Sequence, residues 1–259
     1  MTYLQFHLVF LLPPLLILAS GVRGAAARLG RRAWPALFAV PVVALVYTTP
    51  WDVHLIASGV WGYGPERVLG ALWGVPYEEY AFFVLQPLLT GMIFYRFLAR
   101  LLEESPWPPL ERAPRVIKRA GVAVALAWTA IGAALLQREE GTYLGLILVW
   151  AVPMLGVLWA LKGDLIWRWK AATLPGVVVP TLWLWIADRI AIADGIWTIS
   201  ERHTLGWNPA GLPVEEATFF LVTNVLVVFG LVLFLEPGLR HLASDAGAQP
   251  VQDEAQETA

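Results

Sequence analysis

Seven apolar stretches alternate with shorter polar segments along the 259 residues of the chain. Each stretch is long enough, or nearly so, to cross about 30 Å of hydrocarbon as a helix. The second and sixth stretches are short and contain proline. The pattern predicts an all-α protein, a polytopic membrane helical bundle of about seven transmembrane helices. The predicted spans are residues 3–22, 34–51, 77–98, 118–137, 142–161, 171–188 and 213–235.

The composition supports a membrane protein and excludes several kinds of site. Charged residues make up 15% of the chain, whereas a soluble domain carries about a quarter. The net charge of −2 gives no reason to expect a nucleic-acid partner. Cysteine is absent, which excludes disulfides, thiolate nucleophiles and cysteine-ligated metals. His54 and His203 have no counterparts in each other's half of the chain, and we therefore predict no metal site.

The distribution of lysine and arginine predicts the orientation. Fourteen of the 18 basic residues, Arg112 among them, lie in the odd-numbered loops and the C-terminal segment, and four lie in the even-numbered loops. Because cytoplasmic loops are enriched in these residues, we expect a cell-membrane protein with its N-terminus outside and its C-terminus in the cytoplasm. Residues 239–259 are polar and are predicted to be a disordered tail.

The chain contains an internal repeat with a period of about 136 residues. The segment "WDVHLIASGVWG" at 51–62 aligns with "ADRIAIADGIWT" at 187–198, and "GVPYEEYAFF" at 74–83 aligns with "GLPVEEATFF" at 211–220. Equivalent spans are four apart, so both copies have the same orientation in the membrane. We therefore predict two parallel three-helix repeats joined by a linking helix. The boundaries are 1–100 for the first repeat, 101–140 for the linker with the fourth span, and 141–238 for the second repeat.

The repeated carboxylates are the candidate catalytic residues. A proline followed by glutamates is also an ordinary helix start, in which acidic side chains complement the helix dipole. The repetition favours chemistry, because ionisable groups at membrane depth are costly and usually face a bundle interior. Adjacent helical residues point about 100° apart, so at most one glutamate of each pair is expected to face a given pocket. The candidates are Glu78, Glu79, Glu215 and Glu216, with Asp52 and Asp188, which could instead be interfacial acids.

Duplicated aromatic residues accompany the acids. Tryptophan is common at membrane interfaces, and most of the 14 tryptophans fit that description. The aligned pair Trp61 and Trp197 is the better candidate for an aromatic wall, because aromatic faces stabilise cations. Four phenylalanines could line the same substrate-binding pocket or serve only in packing: Phe82, Phe83, Phe219 and Phe220.

The two glutamate motifs and the segments before them resemble the small integral-membrane lycopene cyclases. That family exists as two short subunits, as one fused bacterial chain, and in fungi as a fusion to phytoene synthase. The resemblance covers roughly residues 1–236 and implies the fused bacterial form. It implies that the ψ-ends of lycopene or a related carotenoid are cyclised to β-ionone rings, giving γ-carotene or β-carotene. It further implies acid–base catalysis within the lipid bilayer, with other carotenoid-pathway enzymes as candidate partners.

The resemblance carries the catalytic role to the four glutamates and to Asp52 and Asp188. No G-x-G-x-x-G motif is present, so no flavin or nicotinamide cofactor is expected. The first repeat has Ser58 where the second has Asp194, which leaves open whether both halves are catalytic. The sequence also leaves open the ring type and the number of ends cyclised.

Two other functions compete with this interpretation. A membrane transporter could use the buried carboxylates for proton coupling. A polyprenyl transferase would need aspartate-rich clusters that bind magnesium and diphosphate, and none lies beside a span. A retinal photoreceptor is disfavoured because no lysine follows Lys170.

Overall fold

The computed structural model describes residues 1–104 and 115–247, and the side chains of residues 1–103 and 115–236. Arg112, which belongs to the predicted cytoplasmic loops, lies outside the described residues. So do residues 248–259 of the predicted tail.

In the described part of the chain, seven helices are long and apolar enough to cross a membrane. This confirms the all-α class and the number of predicted spans. The last helix continues beyond residue 239, where the predicted tail begins. The helices are α1 (Tyr3–Leu29), α2 (Ala33–Ala57), α3 (Tyr77–Glu104), α4 (Arg115–Leu135), α5 (Thr142–Arg168), α6 (Lys170–Ala193) and α7 (Val214–Gly247).

Helices α2 and α6 end later than the hydropathy pattern predicts. Both continue through internal prolines to Ala57 and Ala193, past the predicted ends at residues 51 and 188. Proline is tolerated in membrane helices where neighbouring groups satisfy the freed backbone. Each helix ends at a glycine with a left-handed φ of 69°, Gly59 in one half and Gly195 in the other. As a result, Asp52 and Asp188 lie inside helices and are buried.

The loops after α2 and α6 meet across the bundle. Strand β1 (Trp61–Tyr63) pairs antiparallel with β4 (Trp197–Ile199), with Gly62 opposite Thr198. Trp61 pairs with Ile199, and Tyr63 pairs with Trp197. In the repeat, position 61 is equivalent to 197 and position 63 to 199, so the two pairs are equivalent to each other, as in a self-complementary interface. A parallel repeat would give this register, although the repeat arrangement itself stays a prediction. A short hairpin of β2 (Ala71–Leu72) and β3 (Val75–Pro76) leads into α3.

A buried polar network joins α3, α6 and α7 between the two halves. Asn224 accepts hydrogen bonds from Gln86 Nε2 at 2.6 Å and from Thr90 Oγ1 at 2.5 Å. Its own amide donates to Thr181 Oγ1 at 3.0 Å. All four side chains are buried. A buried polar group without a partner costs free energy, so this network fixes how the three helices pack.

We expect Asn224→Leu to destabilise the protein by about 1–3 kcal/mol, because it leaves the Gln86 amide and the Thr90 hydroxyl without their acceptor. Thermal unfolding of the detergent-solubilised protein measures the change. Thr129→Val is the matched control, since the Thr129 hydroxyl donates only to the Ala125 carbonyl of its own helix. An Asn224→Leu variant as stable as the control would show that the network does not hold the helices together.

Candidate active site

The two glutamate pairs open helices α3 and α7. Glu78 and Glu79 lie in the first turn of α3, and Glu215 and Glu216 in the first turn of α7. At this position the free backbone N–H groups and the helix dipole favour a negative charge. All four side chains are nonetheless buried, so their immediate neighbours decide what each can do.

Within each pair, the first glutamate holds a loop. Glu78 Oε1 accepts a hydrogen bond from the Leu69 backbone N–H at 2.8 Å. Glu215 Oε1 accepts one from the Leu205 backbone N–H, also at 2.8 Å. The two bonds occupy equivalent places in the two halves. The structure therefore places Glu78 and Glu215 as anchors for the segments that precede α3 and α7.

The second glutamate of each pair is bonded to tyrosine. Glu79 Oε2 accepts hydrogen bonds from the Tyr3 hydroxyl at 2.7 Å and the Tyr63 hydroxyl at 2.9 Å. Glu216 Oε1 accepts one from the Tyr143 hydroxyl at 2.5 Å. The division agrees with the expectation that only one glutamate of a pair faces a pocket.

Glu79 and Glu216 line one common chamber. Its volume is about 30 Å³. Asp188 also lines the chamber, as do five of the predicted aromatic residues. The carboxyl groups of both halves therefore meet in one site. The lining residues are Tyr3, Trp61, Tyr63, Glu79, Phe82, Asp188, Trp197, Glu216, Phe219 and Phe220.

The two aspartates have different surroundings although the repeat aligns them. Asp188 Oδ1 accepts a hydrogen bond from Trp197 Nε1 at 2.9 Å, and the Asp188 carboxyl lies close enough to Glu216 for the two charges to interact. Asp52 is fully buried and lies close enough to Glu79 for the two charges to interact. Neither Asp52 oxygen has a hydrogen-bond partner among the described residues. The halves are therefore chemically unequal at this point.

Each duplicated tryptophan packs against the tyrosine that bonds the glutamate of the opposite half. The Trp197 ring lies 5.0 Å from that of Tyr3, and the Trp61 ring lies 5.7 Å from that of Tyr143. This exchange follows from the pairing of β1 with β4. Phe83 is buried but does not line the chamber, and its ring packs 6.3 Å from that of Tyr80.

Asp194, which replaces Ser58 in the second repeat, lies outside the chamber. It forms an ion pair at the surface with Arg67, 3.4 Å away, and with the amino group of Met1. The bond to that amino group lowers the pKa of Asp194. Among the described residues, no three His, Cys, Asp or Glu side chains are placed to hold a metal ion.

The tyrosines that bind the glutamates are absent from the sequence-based candidates. A further pair of aligned segments would have identified two of them. The segment "TYLQFHLVFLLP" at 2–13 aligns with "TYLGLILVWAVP" at 142–153. Tyr3 then falls on Tyr143. Tyr63 falls on Ile199 and has no duplicate, so no sequence pattern distinguishes it.

Comparison with known proteins identifies the family. The family described as lycopene cyclase matches residues 1–98 and 140–234, which leaves α4 outside the match. The lycopene beta-cyclase of Halobacterium salinarum is 43% identical over 234 residues, covering 90% of this chain and 95% of that protein.

Fungal relatives are longer proteins. The bifunctional lycopene cyclase/phytoene synthase of Podospora anserina is 38% identical over 74% of this chain, which spans 34% of that protein. That of Gibberella fujikuroi is 35% identical over 89% of this chain and 39% of its own length. No solved structure matches the chain significantly. The family match and the Halobacterium relative confirm the resemblance found in the glutamate motifs, and the chain belongs to the lycopene cyclase family.

Proposed function

We propose that the protein cyclises the ψ-ends of lycopene to β-ionone rings, giving γ-carotene or β-carotene. The observation that carries the proposal is the chamber in which the buried Glu79 and Glu216 face each other behind aromatic side chains. The name of the Halobacterium relative supports the same substrate. An acid, a base and a water-poor cavity are sufficient for a redox-neutral cyclisation.

Glu216 is the proposed general acid. Its carboxyl and that of Asp188 line the same chamber and are close enough for their charges to interact. Repulsion between neighbouring buried carboxylates favours a proton on one of them. The Trp197 indole donates to Asp188 and favours the ionised form of that residue. Glu216 accepts a hydrogen bond from one tyrosine, whereas Glu79 accepts two, and we therefore assign the proton donor to Glu216.

Glu79 is the proposed general base. Two hydroxyl groups, from Tyr3 and Tyr63, donate to the same oxygen. Hydrogen bonds donated to a carboxylate favour its charged form. Burial and the neighbouring Glu79 carboxyl raise the pKa of Tyr63 well above its usual value, so Tyr63 remains a protonated donor.

The reaction proceeds in three balanced steps. The Glu216 proton adds to the terminal double bond of the polyene and leaves a tertiary cation. The neighbouring double bond attacks this cation, forms the ring bond and moves the positive charge to a ring carbon. Glu79 then removes a proton to set the ring double bond. Because both carboxyl groups line one chamber, the proton can return from Glu79 to Glu216 for the next turnover.

The aromatic wall protects the cationic intermediate. Faces of Trp61, Trp197 and Phe219 border the chamber and stabilise positive charge. The chamber is lined mostly by aromatic side chains, which limits capture of the cation by solvent. A water-capture product would be hydroxylated, and the proposal expects none.

Expression in a lycopene-accumulating bacterial host tests the proposed function. Chromatography of the carotenoids is expected to show lycopene converted to γ-carotene or β-carotene, in amounts that follow the level of protein in the membrane. Unchanged lycopene in cells with abundant membrane-inserted protein would overturn the proposal and favour a proton-coupled transporter or a polyprenyl transferase.

The protein is further proposed to lie in the cell membrane with its N-terminus outside. The chain has no cysteine, so single cysteines report accessibility without background. Glu66→Cys, in the exposed loop near the acids, is expected to react with a membrane-impermeant maleimide in intact cells. Arg31→Cys, between α1 and α2, is expected to react only after permeabilisation. The reverse pattern would invert the orientation.

A further inference from the structure

An apolar cleft lies between α2 and α7 and adjoins the acid chamber. Its volume is about 270 Å³, close to the lower end of the ~300–1,000 Å³ range of small-molecule pockets. Phe82 and Phe219 line both the cleft and the chamber. The cleft and the proposed site of ring closure therefore share a wall formed by Phe82 and Phe219.

Flat aromatic rings form one side of this cleft. The Trp150 ring stacks on Tyr47 at 5.2 Å and on Trp51 at 4.5 Å. Trp51 in turn stacks on Phe219 at 5.6 Å. Two cleft-lining side chains, Val43 and Phe234, are substantially exposed on the surface of the bundle. This surface belongs to spans that face lipid, so the cleft opens toward hydrocarbon and suits an apolar polyene chain.

The equivalent place in the other half is closed. By the repeat, α6 and α3 correspond to α2 and α7, and α6 packs much more extensively along α3 than α2 does along α7. Gly176 in α6 is the counterpart of Val40, which lines the cleft. The fully buried Phe94 of α3 packs against Gly176 so closely that a Cβ at this glycine would lie 3.0 Å from the phenylalanine ring. Ile93 stands where the cleft has Gly230. The smaller and larger residues are thus exchanged between the halves.

We propose that the cleft between α2 and α7 binds the polyene chain of the substrate and is, within the described part of the chain, the single path from the bilayer to the chamber. This inference rests on the proposed cyclase function. One cleft and one chamber accept one end of the polyene at a time. For a second ring to form, the monocyclic product must leave the cleft and bind again with its uncyclised end in the chamber.

A matched pair of variants tests the cleft. Val43 in α2 and Val179 in α6 are equivalent in the repeat, and both are exposed valines on the surface of the bundle. Only Val43 lines the cleft. Lycopene-loaded vesicles containing purified protein give initial rates of ring formation. We expect Val43→Trp to lower the rate about tenfold or more, because the indole ring would compete with the polyene for space in the cleft. Val179→Trp is expected to stay close to the wild-type rate.

A second variant blocks the cleft from the other helix. A Cβ at Gly230 would meet only Val40 Cγ2, at 3.7 Å, so a larger side chain can enter without moving the backbone. Gly230→Leu is expected to fold, since leucine is a better helix former than glycine, and to slow ring formation as Val43→Trp does. In a wild-type time course, the monocyclic product is expected to accumulate in the vesicles before the bicyclic product.

Each outcome has one meaning. An active wild type with full activity in both blocking variants would overturn the cleft as the binding path. Equal losses in Val43→Trp and Val179→Trp would overturn a single path. Bicyclic product formed without a free monocyclic intermediate would overturn the end-for-end reversal. A wild type that leaves lycopene unchanged would instead refute the cyclase function.

Discussion

Replacing Glu79 or Glu216 with glutamine is expected to lower lycopene turnover by about 10²–10⁴-fold, the range for loss of a general acid or base. Glutamine keeps the shape of the side chain but can neither give nor take the proton. Glu78→Gln and Glu215→Gln are the matched controls. Each retains an oxygen that can accept from the Leu69 or Leu205 backbone N–H, so both are expected to cyclise at close to the wild-type rate.

Isotope exchange separates the acid from the base. A variant that retains the acid can protonate the terminal double bond reversibly in D₂O, even when the ring cannot be completed. We therefore expect lycopene recovered from Glu79→Gln to carry deuterium, and lycopene recovered from Glu216→Gln to carry none. The opposite pattern would exchange the two roles. Full activity in both variants would remove the chamber from the mechanism.

Asp188→Asn is expected to produce the second largest effect, a loss in kcat of about 10²-fold, near the lower end of the range for general acid catalysis. Asparagine at position 188 carries no negative charge, so the repulsion that favours a proton on Glu216 is lost, and an ionised Glu216 cannot act as an acid. The KM should change little, because Asp188 does not line the cleft that holds the polyene. Initial rates in lycopene-loaded vesicles measure both constants.

Asp52→Asn is the matched control for Asp188→Asn. Asp52 lies near Glu79 but does not line the chamber. An amide at this position would favour the ionised form of Glu79, which is the form a base requires. We expect only a small change in kcat. Equal losses in the two variants would mean that the halves act alike, and the assignment of acid and base to separate halves would then fail.

The helices and the duplicated acids could be predicted because each has a local signal. Runs of apolar residues long enough to cross a bilayer locate all seven helices. The motif around Pro76 and Pro213 locates the starts of α3 and α7 and places their glutamates in the first turn. Helix ends were predicted too early where proline or polar residues interrupt the hydropathy before the helices stop, as in α1, α2, α3, α5 and α6.

The arrangement of the chamber depends on contacts between distant segments. Tyr63 reaches Glu79 from the strand that pairs with the opposite half. Trp61 and Trp197 pack against the tyrosines that bond the glutamates of the other repeat for the same reason. The cleft is open in one half because the side chains at aligned positions differ in size, such as Gly230 in α7 and Ile93 in α3. None of these features has a local pattern, although the tyrosines at positions 3 and 143 could have been found by aligning α1 with α5.

The most direct test of the central claim uses the purified protein alone. Vesicles containing lycopene and this chain, without added nucleotide, flavin or metal, are incubated and their carotenoids separated by chromatography. The account predicts that lycopene is converted to γ-carotene or β-carotene, and that the adjacent substitutions Glu78→Gln and Glu79→Gln separate into an active and an inactive protein. Unchanged lycopene with folded wild-type protein, or equal activity in the two variants, would contradict it.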